Sequence, residues 1–545
     1  MASQAEDQLR EAVDRILQST SRKKLLVAGP GTGKTTVFRK LLEASRGNSD
    51  TRLVLTFINN LKEDLGRSLS DLAKTSTLHG YCQSLLHRRG AVRIGLTGEF
   101  RCLPGLASLI KDDWGYLRGE PVPHFVDQMR ALKIGEDLEF YLVRGNYYDA
   151  VDFDDSVFRV YRRLEESQDQ IETFDLVLID EYQDFNRMEA EFIELLSLRS
   201  PIVIAGDDDQ ALYSQLRGSS WDFIRSLHRG DEYEKFVLPF CMRCPEVIVG
   251  AVNDVIEKAQ QLKKLAGRIA KPYLHFEPLK GRDSKRYPHI DLVWTTVQRG
   301  NANYFGRYIE KAISQIPQNE FEEAAKKNEP AVLIIGSIQY LRQIVDYLRT
   351  HGHAVSTKGD QSNKLEKADG YRLLSENPTS NLGWRLMLEF EDKDLRGSII
   401  RQAAKAACPL SEALPSEVGS RILTQTQIWA QNERKNEQKV QDLQNKPADQ
   451  VVIKATSFEG SKGMSAQHVF IVGMHENELP HDSANIKDIE ICRFVVGLTR
   501  AKKKCSLLYT SRFADQEKHA SPFLSWIKSK RYKPVRVNAN FWREA

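Results

Sequence analysis

Long apolar runs are missing from this chain. No stretch of its 545 residues approaches the roughly 20 consecutive apolar positions that a bilayer-spanning helix needs, so no membrane association is expected. The opening MASQAEDQLREAV carries acids and has no apolar centre, unlike a secretory signal. Cysteine is scarce: seven residues, scattered and odd in number, suit free thiols in a reducing compartment and a cytoplasmic protein. Cys241 and Cys244 form a lone CxxC with no second pair nearby. Structural zinc usually wants four closely presented ligands, so these two read as ordinary buried thiols. A charge imbalance is missing too. The net charge of +4 excludes a chain-wide basic field and confines any polyanion site to a local groove. What remains is ordinary for a soluble globular protein, 41% hydrophobic and 28% charged residues. The length should divide into roughly three or four domains.

Along the chain an α/β rhythm occurs twice. Residues 8–20 predict a helix, 24–28 (KLLVA) a strand, 35–42 a helix, 53–57 (LVLTF) a second strand and 60–72 the helix after it. The pattern then turns irregular and helix-like, with aromatics mixed among charges, before strands resume at 176–179 and 202–205. The second half repeats the scheme. Strands are expected at 331–335 (AVLII), at Ile453, at 469–472 (VFIV) and at 506–509 (SLLY), with a helix over 339–350. The expected division is a first sheet domain over 1–87 and 169–235, a helical insertion over 88–168, a second sheet domain over 236–360 and 449–545, and a short helical insertion over 361–448. Alternating βα units predict parallel sheets, whose ligands gather at the strand carboxyl ends.

Two motifs carry chemistry. Residues 28–36, AGPGTGKTT, lie between a predicted strand and a predicted helix. Gly29, Gly31, Thr32 and Gly33 would let backbone N–H groups turn inward around phosphates, and the helix N-terminus adds its dipole. Lys34 would contact the β- and γ-phosphates of ATP, the Thr35 hydroxyl would ligate Mg²⁺, and Thr36 completes the loop. Residues 174–185, FDLVLIDEYQDF, deliver Asp180 and Glu181 at the end of an apolar strand. Asp180 would hold the Mg²⁺ shell and Glu181 would orient or deprotonate the attacking water. A DE pair after a strand is alone most often a solvated loop; beside the Lys34 loop the catalytic reading prevails.

With these motifs in place, the chain resembles the UvrD/Rep/PcrA-like superfamily 1 helicases, in order and along nearly its whole length. AGPGTGKTT, IDEYQDF and AGDDDQALYSQLRG (205–218) are similar to the first three motifs of that family, FCMRCP (240–245) to the fourth, SFEGSKGMSAQHVFIVGM (457–474) to the fifth and ICRFVVGLTRAKKK (491–504) to the sixth. The resemblance implies two RecA-like P-loop motor domains with parallel sheets, each carrying a mostly helical insertion, the second one reduced. It makes Gln210 a γ-phosphate sensor, Arg243 and Arg500 γ-phosphate contacts from the second motor domain, and Lys462 and Gly463 part of the ATP site. It offers Gln8 as the adenine-reading glutamine, with Gln4 competing. For DNA it implies Phe57 and Asn59 in the segment LTFINNL, Thr77 and His79 in TLHG, and Tyr213 and Arg217 in the third motif. Each has a blander reading alone: Phe57 as core, His79 as a core-edge or helix-capping histidine, Arg500 as part of a solvated basic run.

This sequence also departs from the family. Met242 stands where a Tyr usually packs on adenine, and Leu216 where a Trp usually stacks on a base. Glu459 and Ser465 replace the usual His and Glu of the fifth motif. The resemblance implies an ATP- and Mg²⁺-dependent DNA helicase, moving 3′→5′ on single-stranded DNA and opening tailed duplexes, in DNA repair or anti-phage defence. The reduced second insertion, with no segment like the nuclease of some relatives, suggests a stripped motor beside a separate nuclease or other protein partner. Two alternatives stand beside it: a translocase or nucleic-acid sensor that remodels a partner without unwinding, and an ATP-gated binding module with vestigial hydrolysis.

Overall fold

In the computed structural model two parallel sheets organise the chain. The structure describes residues 2–57, 66, 68–96, 98–119, 122–213, 218–295, 304–357, 366–440, 453–513, 516–538 and 541–542. The first sheet has six strands in the order Lys74–Thr77, Arg52–Thr56, Leu176–Ile179, Ile202–Gly206, Lys23–Ala28 and Glu234–Leu238. Every pairing in it is parallel. The second has seven: Val355–Thr357, Ile453–Thr456, Val332–Ile335, Ala466–Val472, Ala501–Thr510, Ile290–Thr295 and Tyr532–Val537, again all parallel. Two such sheets are the expected pair of RecA-like domains. Central strands read as unbroken apolar runs because both faces are covered. Leu26, Leu178 and Val203 pack on one face of the first sheet with Phe38 and Leu42, while Leu25, Val177 and Ile204 pack on the other.

The last strand of the first sheet runs to Leu238, past the boundary expected at 235. The helix expected over 60–72 lies largely outside the described residues, as do Asn59, Leu216 and Arg217.

Between the strands Lys74–Thr77 and Leu176–Ile179 of the first sheet come the helices Leu106–Leu117, Phe125–Arg130, Glu136–Tyr148 and Phe153–Glu166. Within the second half come Lys367–Glu376, Asn381–Leu388, Lys393–Ala406 and Ser416–Val440. These two helical groups are not separate. Trp384, Leu386 and Met387 of the later group share one apolar core with Leu106, Leu109 and Tyr141 of the earlier. At its centre Asp113, fully buried, accepts hydrogen bonds from Arg144 (2.6 Å), Tyr148 (2.6 Å) and the equally buried Arg385 (2.7 Å). Removing one partner of such a buried set typically costs about 3–5 kcal/mol. No helix among the described residues is long and apolar enough to cross a membrane.

Candidate nucleotide cleft

Sheet order explains why distant motifs meet. Leu176–Ile179, Ile202–Gly206 and Lys23–Ala28 are neighbours, so their carboxyl ends deliver Asp180 and Glu181, then Gln210, then the phosphate loop, side by side. The loop turns through Gly31 (φ +72°) and Gly33 (φ +90°), conformations that disfavour a side chain. The space is closed as well: a Cβ at Gly31 would lie 2.4 Å from Cβ of Arg243, and one at Gly33 2.3 Å from Cε of Met242. Thr32 is buried and donates to the Gly29 carbonyl at 2.8 Å. Thr35 lies in the first turn of the helix Lys34–Ala44, and Thr36 on the rim of an adjoining pocket.

Lys34 Nζ lies 3.2 Å from Glu181 Oε1. Glu181 has φ +55°, a left-handed backbone costing roughly 1 kcal/mol for a residue with a side chain. It is held there by Gln183, whose amide donates to Glu181 Oε2 (2.5 Å) and accepts from the Asp207 N–H (2.9 Å). The paired carboxylates are pushed apart in acidity. Burial, and Glu181 beside it, raise Asp180 to about 7. Burial also opposes ionisation of Glu181, but Lys34 and Lys462 outweigh it and hold that group down at about 2.

The second sheet supplies the facing groups. Arg500, buried between the helix Asp488–Leu498 and the strand Ala501–Thr510, donates to Gln210 Oε1 (3.2 Å) and to the carbonyls of Val496 and Met464. Burial and the nearby Arg243 lower its pKa to about 9. Lys462 is 2% exposed and bridges the cleft: its ammonium reaches Asp184 (2.6 Å), the Gln210 carbonyl (2.6 Å) and Glu181 (3.8 Å). Its observed partners are therefore acidic-strand and third-motif groups, while Gly463 (φ +78°) makes the turn beside it. Arg243 reaches the Thr499 carbonyl at 3.4 Å and packs on Gly31.

The expected adenine contact differs. A pocket of about 250 Å³ beside the loop is lined by Leu9, Val13, Val37, Met242 and Phe276, with Glu6 and Lys40 among its polar rim. Gln8 is exposed on the helix Ala2–Gln18 and is not part of this lining, because the helix turns Leu9 and Val13 inward instead. Phe276, in no recognised motif, brings the aromatic ring that Met242 lacks.

A segment that sequence reasoning passed over sits nearby. Lys271 Nζ lies within 2.8 Å of carboxylate oxygens of Asp207, Asp208 and Asp209, while Arg268 pairs with Asp209 and Arg225 with Asp208. The three acids are thus neutralised as an ion-pair network. Tyr273 donates to the Pro30 carbonyl at 3.0 Å and its ring covers Gly29. The available signal was indirect: three consecutive aspartates cannot be buried without cations.

The strand-contact expectations fare differently. Phe57 is 7% exposed, wedged between Phe185 (ring centroids 5.7 Å apart) and Tyr213 (5.1 Å), so it serves as core and presents no open face for a base. Thr77 caps the helix Leu78–Leu85 by accepting from the Gly80 N–H. His79 is 6% exposed, with Nε2 3.2 Å from the buried Glu189. For both, packing against the helices of the first domain takes the place of the expected surface role. The Tyr213 hydroxyl donates to the Glu459 carbonyl (3.1 Å), and Glu459, at the expected His position, pairs with Arg493 (2.8 Å).

A family described as an AAA domain matches residues 9–215. The chain is 24% identical over 422 residues to a protein of Staphylococcus aureus named ATP-dependent DNA helicase PcrA, covering 66% of this chain and 57% of that one. A Staphylococcus epidermidis protein of the same name is 24% identical over 394 residues, covering 63% and 53%. The chain thus spans little more than half the length of these curated relatives.

Proposed function

We propose that this chain, a UvrD/PcrA-like superfamily 1 protein, is an ATP-dependent DNA helicase that moves 3′→5′ on single-stranded DNA and separates duplex strands ahead of it. The observation that carries this reading is the meeting of both sheets at one point: Arg500 and Lys462 from the second engage Gln210, Glu181 and Asp184 of the first. ATP between the sheets would place its triphosphate on the 29–36 loop, and Lys34 would take the β- and γ-oxygens. The same ammonium now lies against Glu181, so the phosphates compete for it. As Lys34 leaves, Glu181 keeps Lys462 but loses one cation and becomes a stronger base for the attacking water. Arg243 and Arg500 supply positive charge to the transferring phosphoryl group. Thr35 and Asp180, a hydroxyl and a buried carboxylate, form an oxygen donor set suited to Mg²⁺, which when bound neutralises phosphate charge. Gln210 touches Arg500 on one side and Asp207 on the other (2.9 Å), so a change at the phosphate is passed to both sheets.

We place the activity in DNA repair or anti-phage defence, with a nuclease or other protein as partner. A second reading, a translocase or sensor that remodels a partner without unwinding, is favoured by the burial of Phe57. The test measures ATP turnover with single-stranded DNA, duplex DNA and RNA in parallel, then strand separation on 3′- and 5′-tailed duplexes. Single-stranded DNA should stimulate turnover, and 3′-tailed duplexes should open. Stimulation without opening selects the second reading. Lys34→Ala and Glu181→Gln should each lower turnover by about 10³-fold or more with the fold retained; full activity in either overturns the assignment.

A further inference from the structure

The CxxC pair sits inside this cleft. Cys241 ends the short strand Phe240–Cys241, which pairs with Leu274–His275, and Cys244 lies just ahead of the helix Glu246–Gln261. Both thiols are fully buried. The Cys244 N–H donates to Cys241 Sγ at 3.4 Å, and the Cys244 thiol donates to the Thr499 carbonyl at 3.6 Å. Arg243, between them, donates to that same carbonyl. Beneath, Met242 N–H donates to the Gly31 carbonyl (2.8 Å), and a Cβ on Gly31 would lie 3.3 Å from Cys241 Sγ. The pair therefore brackets an arginine whose Cβ packs against Gly31 of the phosphate loop, in a region with no spare room.

We propose that Cys241 and Cys244 are a redox pair that closes to a disulfide and silences the ATP site. The proposal rests on reading the cleft as an ATPase. The two sulfurs are chemically unequal, as an exchanging dithiol requires. Burial opposes ionisation of Cys241, but the Cys244 side chain, Tyr273 and the backbone N–H groups of Cys244 and Arg243 around its sulfur favour the thiolate and bring it down to about 6. Burial and the neighbouring Cys241 push Cys244 well up. The oxidant is a low-molecular-weight disulfide, RSSR, admitted when the sheets part. The Cys241 thiolate attacks one sulfur, forming Cys241–S–SR and releasing RS⁻. Cys244 passes its proton to that thiolate and attacks Cys241 Sγ, forming the 241–244 bond and releasing the second RS⁻, which takes a proton from water. Two protein sulfurs are oxidised and one RSSR is reduced to two thiols. Closing the ring removes the Cys244 contact with Thr499 and tightens the turn that carries Met242 and Arg243, pulling both from Gly31. Hydrolysis should fall more than ATP binding.

The experiment equilibrates the full chain in glutathione buffers of graded oxidised-to-reduced ratio. It then traps free thiols by alkylation, reads the 241–244 peptide by mass, and assays DNA-stimulated turnover on the same samples. Turnover should fall about tenfold or more in step with loss of two hydrogens from that peptide, return with dithiothreitol, and be protected by ATP. Cys241→Ser, which lacks the attacking sulfur, should, compared with itself, give the same turnover in oxidised and reduced buffer. Turnover that persists in fully oxidised peptide, or a Cys241→Ser variant that is still inhibited, overturns the switch. A turning-over protein whose peptide keeps both hydrogens overturns the pair alone. A reduced protein with no turnover overturns the ATPase reading and, with it, the silencing.

Discussion

The candidate nucleotide cleft and the expected strand-contacting side of the first domain carry motifs of similar clarity, yet the structure treats them differently. In the cleft, Lys34, Glu181, Gln210, Arg500 and Lys462, drawn from both sheets, meet within hydrogen-bonding or ion-pair distance. On the other side, Phe57, Thr77 and His79 are taken up by packing, capping and a buried ion pair. The difference is chemical. A hydrolytic site needs particular charges at fixed points. An aromatic, a threonine and a histidine at strand and helix ends serve stability just as well. The charged motif residues thus meet across the sheets as expected, whereas the aromatic, threonine and histidine motif residues are buried.

Three perturbations would break or sharpen this contrast. The largest effect is expected at Lys462. Replacing it by Met removes the cation shared by Glu181, Asp184 and the Gln210 carbonyl, and DNA-stimulated kcat should drop by about 10²-fold or more. A kcat within about threefold of the parent would mean that the bridge is structural only. Next, His79→Ala should destabilise the fold by about 1–3 kcal/mol in urea unfolding, because buried Glu189 loses a partner, while affinity for single-stranded DNA stays within about twofold. A large loss of affinity with unchanged stability would restore the contact role. The smallest effect belongs to the base pocket. Phe276→Ala should raise KM for ATP about tenfold through lost apolar contact, whereas Gln8→Ala should leave it nearly unchanged. The reverse order would return Gln8 to the adenine.

Much of the fold was legible, and what was not has a common cause. LVLI at 176–179, IVIA at 202–205 and VLII at 332–335 announce themselves because a central parallel strand is covered on both faces. The sequence pattern assigns none of the four edge strands: Lys74–Thr77, Glu234–Leu238, Val355–Thr357 and Tyr532–Val537. An edge is half-wetted, so KTST and YKPVRV keep lysine, arginine and proline and read as loop. Ile290–Thr295 is interior, but its aspartate and tryptophan disguise it. At the site, Lys34, Glu181, Gln210 and Arg500, named from the motifs, do come together. Lys271, Tyr273 and Phe276 could not be named in advance, because their roles come from where a link between the sheets happens to lie. CxxC was visible but read as inert, since its meaning depends on Gly31 and Thr499, both far away in sequence.

The shared core of the two helical groups sets a mechanical condition on the whole molecule. Each group is threaded into a different sheet domain, and the sheets also touch at the cleft, through Gln210 and Arg500 among others, so the chain forms a closed linkage joined at the helical core and at the cleft. Like a book bound along one edge, it can open its pages only by turning about the spine. If the Asp113–Arg385 lock holds, that spine is the helical core, and every stroke at the cleft becomes a rotation whose arm is the distance between the two.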